Sequence, residues 1–210
     1  LSGTGATSPV ANGITVSGGT TVNVAANKIY NISQNGAIST TSPAVNGILL
    51  SGGTTVHAYN NVVGDLKAPS AKLTDAIRGI SVTATGTTTS HNVYFNSIYL
   101  DGTSIGANFG TTGVFHTTNA TATTAKLDLR NNLIDNNSTP VGTGLAVAYR
   151  RSSAVLGNYA ITSNNNLFYA GTPSAANLIF SDGTNAVQTL ADYKTLVTAT
   201  YDAQSVTENV

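Results

Sequence analysis

The sequence predicts an all-β fold: a right-handed parallel β-helix of five to six coils of about 34 residues, closed by a short C-terminal helix. Three observations predict it. A thirteen-residue segment recurs, a column of asparagines recurs with the same period, and each repeat alternates apolar and polar residues as strands do.

The repeat comes first. Val10-Ala11-Asn12-Gly13-Ile14-Thr15-Val16-Ser17-Gly18-Gly19-Thr20-Thr21-Val22 returns as Ala44-Val45-Asn46-Gly47-Ile48-Leu49-Leu50-Ser51-Gly52-Gly53-Thr54-Thr55-Val56. Weaker copies begin at Arg78-Gly79, Thr112-Gly113 and Thr143-Gly144, so the leading glycines are Gly13, Gly47, Gly79, Gly113 and Gly144, with steps of 34, 32, 34 and 31. Each is expected at a tight corner, where a positive φ or a close backbone approach excludes a side chain. The second column is Asn27, Asn61, Asn96, Asn132 and Asn166, with steps of 34, 35, 36 and 34. A side-chain amide both donates and accepts, so identical asparagines on successive turns are expected to bond into a ladder.

Within a coil, Ile14 and Val16 point one way and Thr15 the other, and Val22 and Val24 flank Asn23 in the same manner. No sustained helical stripe precedes residue 186, which excludes helical solenoids. Beyond it, Val187, Leu190, Tyr193, Leu196 and Val197 have helical spacing. Residues 1–185 are therefore read as β-helix repeats, and 186–210 as a helical or irregular segment packed on the solenoid, covering coil edges that would otherwise pair with another chain.

Composition bounds the function. The 210 residues suit one domain with a sizeable core, 40% of them are hydrophobic, and only 9% are charged, with zero formal net charge. Nine scattered Lys and Arg make no basic stripe for nucleic acid. The absence of Cys removes disulfides, thiolate nucleophiles and cysteine metal sites. No apolar run approaches the roughly 20 residues of a membrane span. The chain opens on Leu1-Ser2-Gly3-Thr4-Gly5 and contains no Met, so it is expected to be a fragment of a longer chain with other domains.

The Asn-Gly-Ile and Asn-Asn-x-Ile/Leu patterns resemble the coils of the pectate-lyase-like superfamily. The tail, Leu190-Ala191-Asp192-Tyr193-Lys194 followed by Asp202-Ala203-Gln204-Ser205-Val206-Thr207-Glu208-Asn209-Val210, resembles the end of β-helix domains in large secreted Bacteroidetes proteins sorted by type IX secretion. This resemblance implies an extracellular place at the bacterial cell surface more than it implies an activity. It also raises a polysaccharide lyase acting on uronate glycans as the alternative function.

A lyase needs a base and a group or metal that neutralises the substrate carboxylate. The outward positions of the first strands read as Thr15, Leu49, Ser81, Phe115 and Ala146, none titratable; those of the second read as Asn23, His57, Asn92, Asp128 and Thr162. The dense charges Lys126, Asp128, Arg130, Arg150 and Arg151 supply the default catalytic candidates Lys126, Arg130, Arg150 and Arg151, against the simpler reading of a charged, solvated strand. Asp65, Asp101 and Asp135, with steps of 36 and 34, are weak candidates for Ca²⁺, against their reading as turn residues. His57, His91 and His116 fall on different coils and read as core or surface histidines.

The segments between coils, about 33–43, 65–76, 101–112, 136–143 and 170–176, are expected along one flank as solvated loops or a ligand site. Phe109, Tyr30, Tyr99, Phe168 and Tyr169 are the rings available there for sugar stacking. Threonine-rich turns such as Thr20-Thr21 and Thr54-Thr55 make ice binding a remote third reading. The reading that combines these observations is a non-catalytic structural or adhesive module, contacting glycans or copies of itself and needing no cofactor.

Overall fold

The computed structural model describes residues 2–3, 10–40, 43–198 and 200–208. The ends of the chain named above, Leu1, Thr4-Gly5 and Asn209-Val210, and Thr41-Ser42 of the first inter-coil segment, lie outside the described residues. The fold is a parallel β-solenoid of about five turns of ~34 residues with one short C-terminal helix.

Three parallel sheets run along the rod. The first stacks Ala11–Val16, Val45–Leu50, Ile77–Val82, Thr111–His116, Ala146–Arg151 and Asn177–Ser181, with Ala186–Val187 added antiparallel at its end. The second stacks Thr21–Ala25, Thr55–Tyr59, Ser90–Tyr94 and Lys126–Arg130. The third stacks Lys28–Ile29, Val62–Val63, Ser97–Leu100, Leu133–Asn136 and Leu167–Tyr169. A small fourth sheet joins Ser2–Gly3, Ile32–Gln34 and Leu66–Lys67.

Each turn from the second sheet to the third is made in the same way. A residue in the left-handed region (Ala26, Asn60, Phe95, Asn131 or Asn165, all with φ between 53° and 57°) swings the chain, and the next residue is the ladder asparagine. Its Nδ2 donates to Oδ1 of the asparagine one coil on: Asn27 to Asn61 at 2.9 Å, Asn61 to Asn96 at 2.9 Å, Asn96 to Asn132 at 3.0 Å and Asn132 to Asn166 at 3.0 Å. The same four Oδ1 atoms accept the backbone N–H of the preceding ladder asparagine. From Asn61 on, Nδ2 also reaches the carbonyl of Val24, Ala58, Val93 or Leu129 in the coil behind. A buried amide is thereby satisfied at both ends while locking three coils in register.

The interior columns follow that register. Ile14, Ile48, Ile80, Val114, Tyr149 and Phe180 line the first sheet, and Ile29, Val63, Ile98, Ile134 and Phe168 the third. Gly13, Gly47, Gly79 and Gly113 lie between them, inside strands rather than at corners, and none has a positive φ. A Cβ on Gly47 would stand 2.3 Å from Val63 Cγ1 and 2.6 Å from the Gly79 carbonyl oxygen. The column is therefore a groove into which the third-sheet aliphatics press. Gly144 does not belong to it. Thr112 pairs with Val147 and Val114 with Tyr149, so the fifth member is Ala148, opposite Phe168's coil, and Gly144 sits in the preceding turn against the Phe109 carbonyl.

The inter-coil segments are not simple solvated loops. Ile38, Ala71, Leu73 and Phe109 are buried, and the segments bond to one another through Lys72 N–H to Ile38 O, Ile105 N–H to Pro69 O and Gly110 N–H to Leu73 O. They form a further packed layer on that flank. At the far end the helix Leu190–Leu196, capped by Thr189 through the Asp192 N–H, buries Leu190 and Tyr193. Tyr193 meets Phe180 at 5.0 Å and Phe168 at 5.9 Å between centroids, so the aliphatic columns end on an aromatic plug.

Two stability outcomes follow. Asn96→Ala strands two buried donors of Asn61 and lowers unfolding free energy by about 3 kcal/mol in urea titration, whereas Asn27→Ala, at the first rung, costs about 1 kcal/mol. Ala26→Gly relieves an exposed alanine held at φ 56° and raises stability by about 1 kcal/mol in the same assay.

Candidate functional site

The charged residues of the Lys126–Arg151 stretch do not form one site. Lys126 and Arg130 are exposed on the second sheet, where Arg130 Nε pairs with Asp128 at 3.1 Å. Arg150 and Arg151 are neighbours on a first-sheet strand and therefore project to opposite sides of it. Arg150 points outward. It, and not Ala146, continues the outward column Thr15, Leu49, Ser81 and Phe115. In the second sheet the outward column runs Asn23, His57, Asn92 and Asp128. Thr162 falls in an irregular exposed stretch between the bridges Leu127–Tyr159 and Arg130–Asn164.

On the outside of the first sheet, Asp75 gathers the polar groups. It accepts from Arg78 Nε at 2.8 Å and from Thr112 Oγ1 at 2.6 Å, and Arg150 Nε donates to Thr112 Oγ1 at 3.0 Å. The Arg78 guanidinium lies 3.5 Å over the Phe115 ring. Arg78 is thus engaged by Asp75 and Arg150 by Thr112, while Arg150 Nη2 is buried without an acceptor among the described residues.

Arg151 lies inside the rod and is 1% exposed. Its guanidinium donates to His116 Nδ1 at 2.8 Å, Tyr149 Oη at 2.9 Å, Val155 O at 2.7 Å and Asn158 Oδ1 at 3.0 Å, while Nε has no acceptor among the described residues. Because Arg151 donates to Nδ1, His116 carries its proton on Nε2 and gives it to Ala125 O at 3.0 Å. Burial and the Arg151 charge hold the His116 pKa well below its ordinary value, and burial lowers that of His91 one coil away. Both imidazoles replace aliphatic residues in interior columns and are structural.

The asparagine ladder ends on a second buried charge. Asp202 Oδ1 accepts from Asn166 Nδ2 at 2.9 Å and Ser205 Oγ at 2.8 Å, and Oδ2 accepts from Tyr159 Oη at 2.7 Å and Tyr193 Oη at 2.8 Å. Burial raises the Asp202 pKa, and its four donors pull against that rise. The same burial pushes the Tyr159 and Tyr193 phenols well up and that of Tyr149 to about 12. The tail motif is thus a cap for the ladder, seen in sequence only through a resemblance.

The calcium column does not stack. Asp135 pairs with Tyr99 rather than Asp101, and it is buried and accepts from Asn137 Nδ2 at 2.8 Å. Asp101 is exposed, and Asp65 pairs with Lys67. Among the described residues no three His, Asp or Glu stand together as a metal site. The threonine column is short: Thr21, Thr55 and Ser90 align, and Lys126 follows.

One outward column carries chemistry that sequence reading missed. Ala25, Tyr59, Tyr94 and Arg130 are in register on the second sheet. Tyr59 and Tyr94 are stacked, 5.4 Å between centroids and 7° from parallel, and Phe95 meets Tyr94 edge-on at 5.9 Å. Tyr94 Oη lies 3.3 Å from His57 Nδ1. Phe95 is 56% exposed, because its left-handed backbone turns the ring away from the core. Of the rings singled out by sequence, Phe109 and Phe168 are buried, while Tyr30 and Tyr99 are exposed on the third-sheet side. The signal for the stack was the equal placement of Tyr59 and Tyr94 two residues before a ladder asparagine.

A pH dependence follows from the interior. The lowered pKa values of His116 and His91 mean that the unfolded chain binds protons first. Their contribution is present above the unfolded value near 6.5 and is lost as pH falls below it toward the folded values. The melting temperature is expected to drop on acidification through this window, and His116→Gln, which cannot titrate, flattens the slope in a thermal melt series. Asp202 acts with the opposite sign: its raised pKa favours the folded state below the ordinary carboxylate value and loses that advantage as pH rises through the folded value.

Compared with protein-family models, curated proteins and solved structures, the chain matches none.

Proposed function

We propose that this chain is a non-catalytic structural and adhesive module of a secreted protein at the bacterial cell surface, and that it contacts glycans through the outer face of its second sheet. The observation that carries the reading is the division of its side chains. The buried titratable groups are engaged within the fold, and the two outward arginines of the first sheet, Arg78 and Arg150, are held at Asp75 and Thr112, whereas Tyr59, Tyr94 and Phe95 present ring surface to solvent beside His57 and asparagine amides. A tyrosine offers an apolar body and a polar tip, and such pairs suit sugar rings, which have apolar faces and hydroxyl rims.

The resemblance of the tail to the ends of Bacteroidetes surface β-helices supports the location, and the periodic, laddered interior supports a mechanical role as a spacer between other domains of one long chain. Self-association through the C-terminal end is disfavoured. Helix Leu190–Leu196 packs there, and Val206 pairs with Leu167 and accepts the Phe168 N–H. A uronate lyase is the reading this one displaces: its default residues stand on two sheets and on both sides of one strand.

Retention on a panel of immobilised neutral and acidic polysaccharides tests the proposal. A double change of Tyr59 and Tyr94 to Ala is expected to weaken retention by about tenfold, near 1.4 kcal/mol, while Lys126→Ala leaves it unchanged. Incubation with uronate polymers and Ca²⁺ is expected to give no rise in ultraviolet absorbance from unsaturated ends. A rise that depends on Lys126 and Arg150 would make the chain a lyase and end the adhesive reading.

A further inference from the structure

The aromatic stack of the second sheet is incomplete, and its gap has a definite shape. Where the second and third coils place Tyr59-Asn60 and Tyr94-Phe95, the first coil places Ala25-Ala26 at the same register. Successive strands of a sheet are about 4.8 Å apart, and Tyr59 and Tyr94 stack at 5.4 Å with nearly parallel planes. Their ring faces therefore look along the rod axis. Tyr94 covers one face of Tyr59. On the other side the side chains at that register, among the described residues, are methyl groups, those of half-buried Ala25 and exposed Ala26. The result is a ledge one strand spacing deep, with Tyr59 as its wall.

The rim of the ledge is polar, built from two asparagine amides and an imidazole. Asn23 is exposed and pairs in register with His57, and Asn60 is exposed beside Tyr59. The charged member of the column, Arg130, lies two coils away and is engaged by Asp128. An apolar ring face at the depth of one stacked ring, bordered by amides and an imidazole that both donate and accept, selects a flat, neutral, hydroxyl-rich ring.

We infer that the Ala25–Tyr59 ledge is a binding subsite for one neutral pyranose unit of a glycan chain, stacked by its C–H face on Tyr59 in the place a first-coil aromatic ring would occupy. Asn23, Asn60 and His57 hydrogen-bond its equatorial hydroxyls. The inference rests on the glycan-contact reading and adds to it the position, the uncharged class and the ring orientation. An acidic sugar gains no ion pair with Lys or Arg at this ledge, since among the described residues the column's arginine, Arg130, is engaged by Asp128 two coils from Tyr59.

Isothermal titration of the whole chain with cellohexaose, whose β-1,4-linked glucose rings are flat and neutral, tests it. The unaltered chain is expected to bind saturably, and both Tyr59→Ala and Ala25→Tyr to weaken binding at least tenfold. Ala25→Tyr fills the ledge with a ring that extends the stack, so it is expected to lose the ligand while keeping or raising the melting temperature. That variant keeps the test valid if Tyr59→Ala unfolds. Unchanged binding by Ala25→Tyr would overturn the ledge, and if a Tyr94→Ala change then abolished binding, glycan contact by the second sheet would still stand. Failure of the unaltered chain to bind cellohexaose overturns the subsite, and failure on the whole neutral and acidic panel removes the glycan reading with it.

Discussion

A single hydrogen-bonding arrangement sets the register on which everything else in this molecule depends. Five asparagine amides, spaced one per coil, pass donors in one direction along the rod from Asn27 to Asn166 and end on the Asp202 carboxylate. An amide inside a protein that lacks one partner costs on the order of 1–3 kcal/mol. A slip of one coil relative to the next would therefore disrupt several bonds at once. The left-handed residue before each asparagine is strained when it is Ala26 or Phe95, and the ladder holds it there.

The hydrophobic core is subordinate to that register. With the ladder in place, the third-sheet column Ile29, Val63, Ile98 and Ile134 faces the glycine groove, and first-sheet residues stack like on like. The core then changes character along the axis. Aliphatic columns give way to His91, His116 and Arg151 and then to the Tyr149, Tyr159, Phe168, Phe180 and Tyr193 cluster beneath the helix. A guanidinium inside the rod is tolerated because imidazole, phenol, carbonyl and amide oxygens surround it, and aromatic rings fill the wider end that aliphatic residues would leave hollow.

The period, the strand-rich class, the asparagine column and the terminal helix were legible because each is a spacing that the chain repeats or a stripe it completes. The fifth coil was misread for a physical reason. It replaces the groove glycine by Ala148, and Gly144 four residues earlier mimics the pattern, which shifts the register and hides Arg150 in an outward column. Alternation alone could not tell that Arg151 and His116 point into the core, since a polar residue at an inward position looks like a break in the pattern. The Tyr59–Tyr94 stack needed the pairing of two strands 35 residues apart, and the Asp65, Asp101 and Asp135 column failed because its steps of 36 and 34 do not match the strand register, which sets Asp135 opposite Tyr99, two residues before Asp101. The outer surface of the second sheet was thus the least legible part: it depends on exact register, which tolerates no slip, whereas the fold depends on period, which does.

Backbone amide hydrogen exchange at the ladder asparagines measures the central constraint directly. Each of Asn61, Asn96 and Asn132 gives its backbone N–H to the next rung's Oδ1 rather than to a strand carbonyl. The account predicts that these amides exchange as slowly as the most protected first-sheet amides, and that they exchange together as one cooperative unit. Exchange of the Asn96 amide at the rate of exposed turn amides such as Thr87, with the flanking strands still protected, would show that backbone pairing alone holds the coils and would contradict the ladder as their organising interaction.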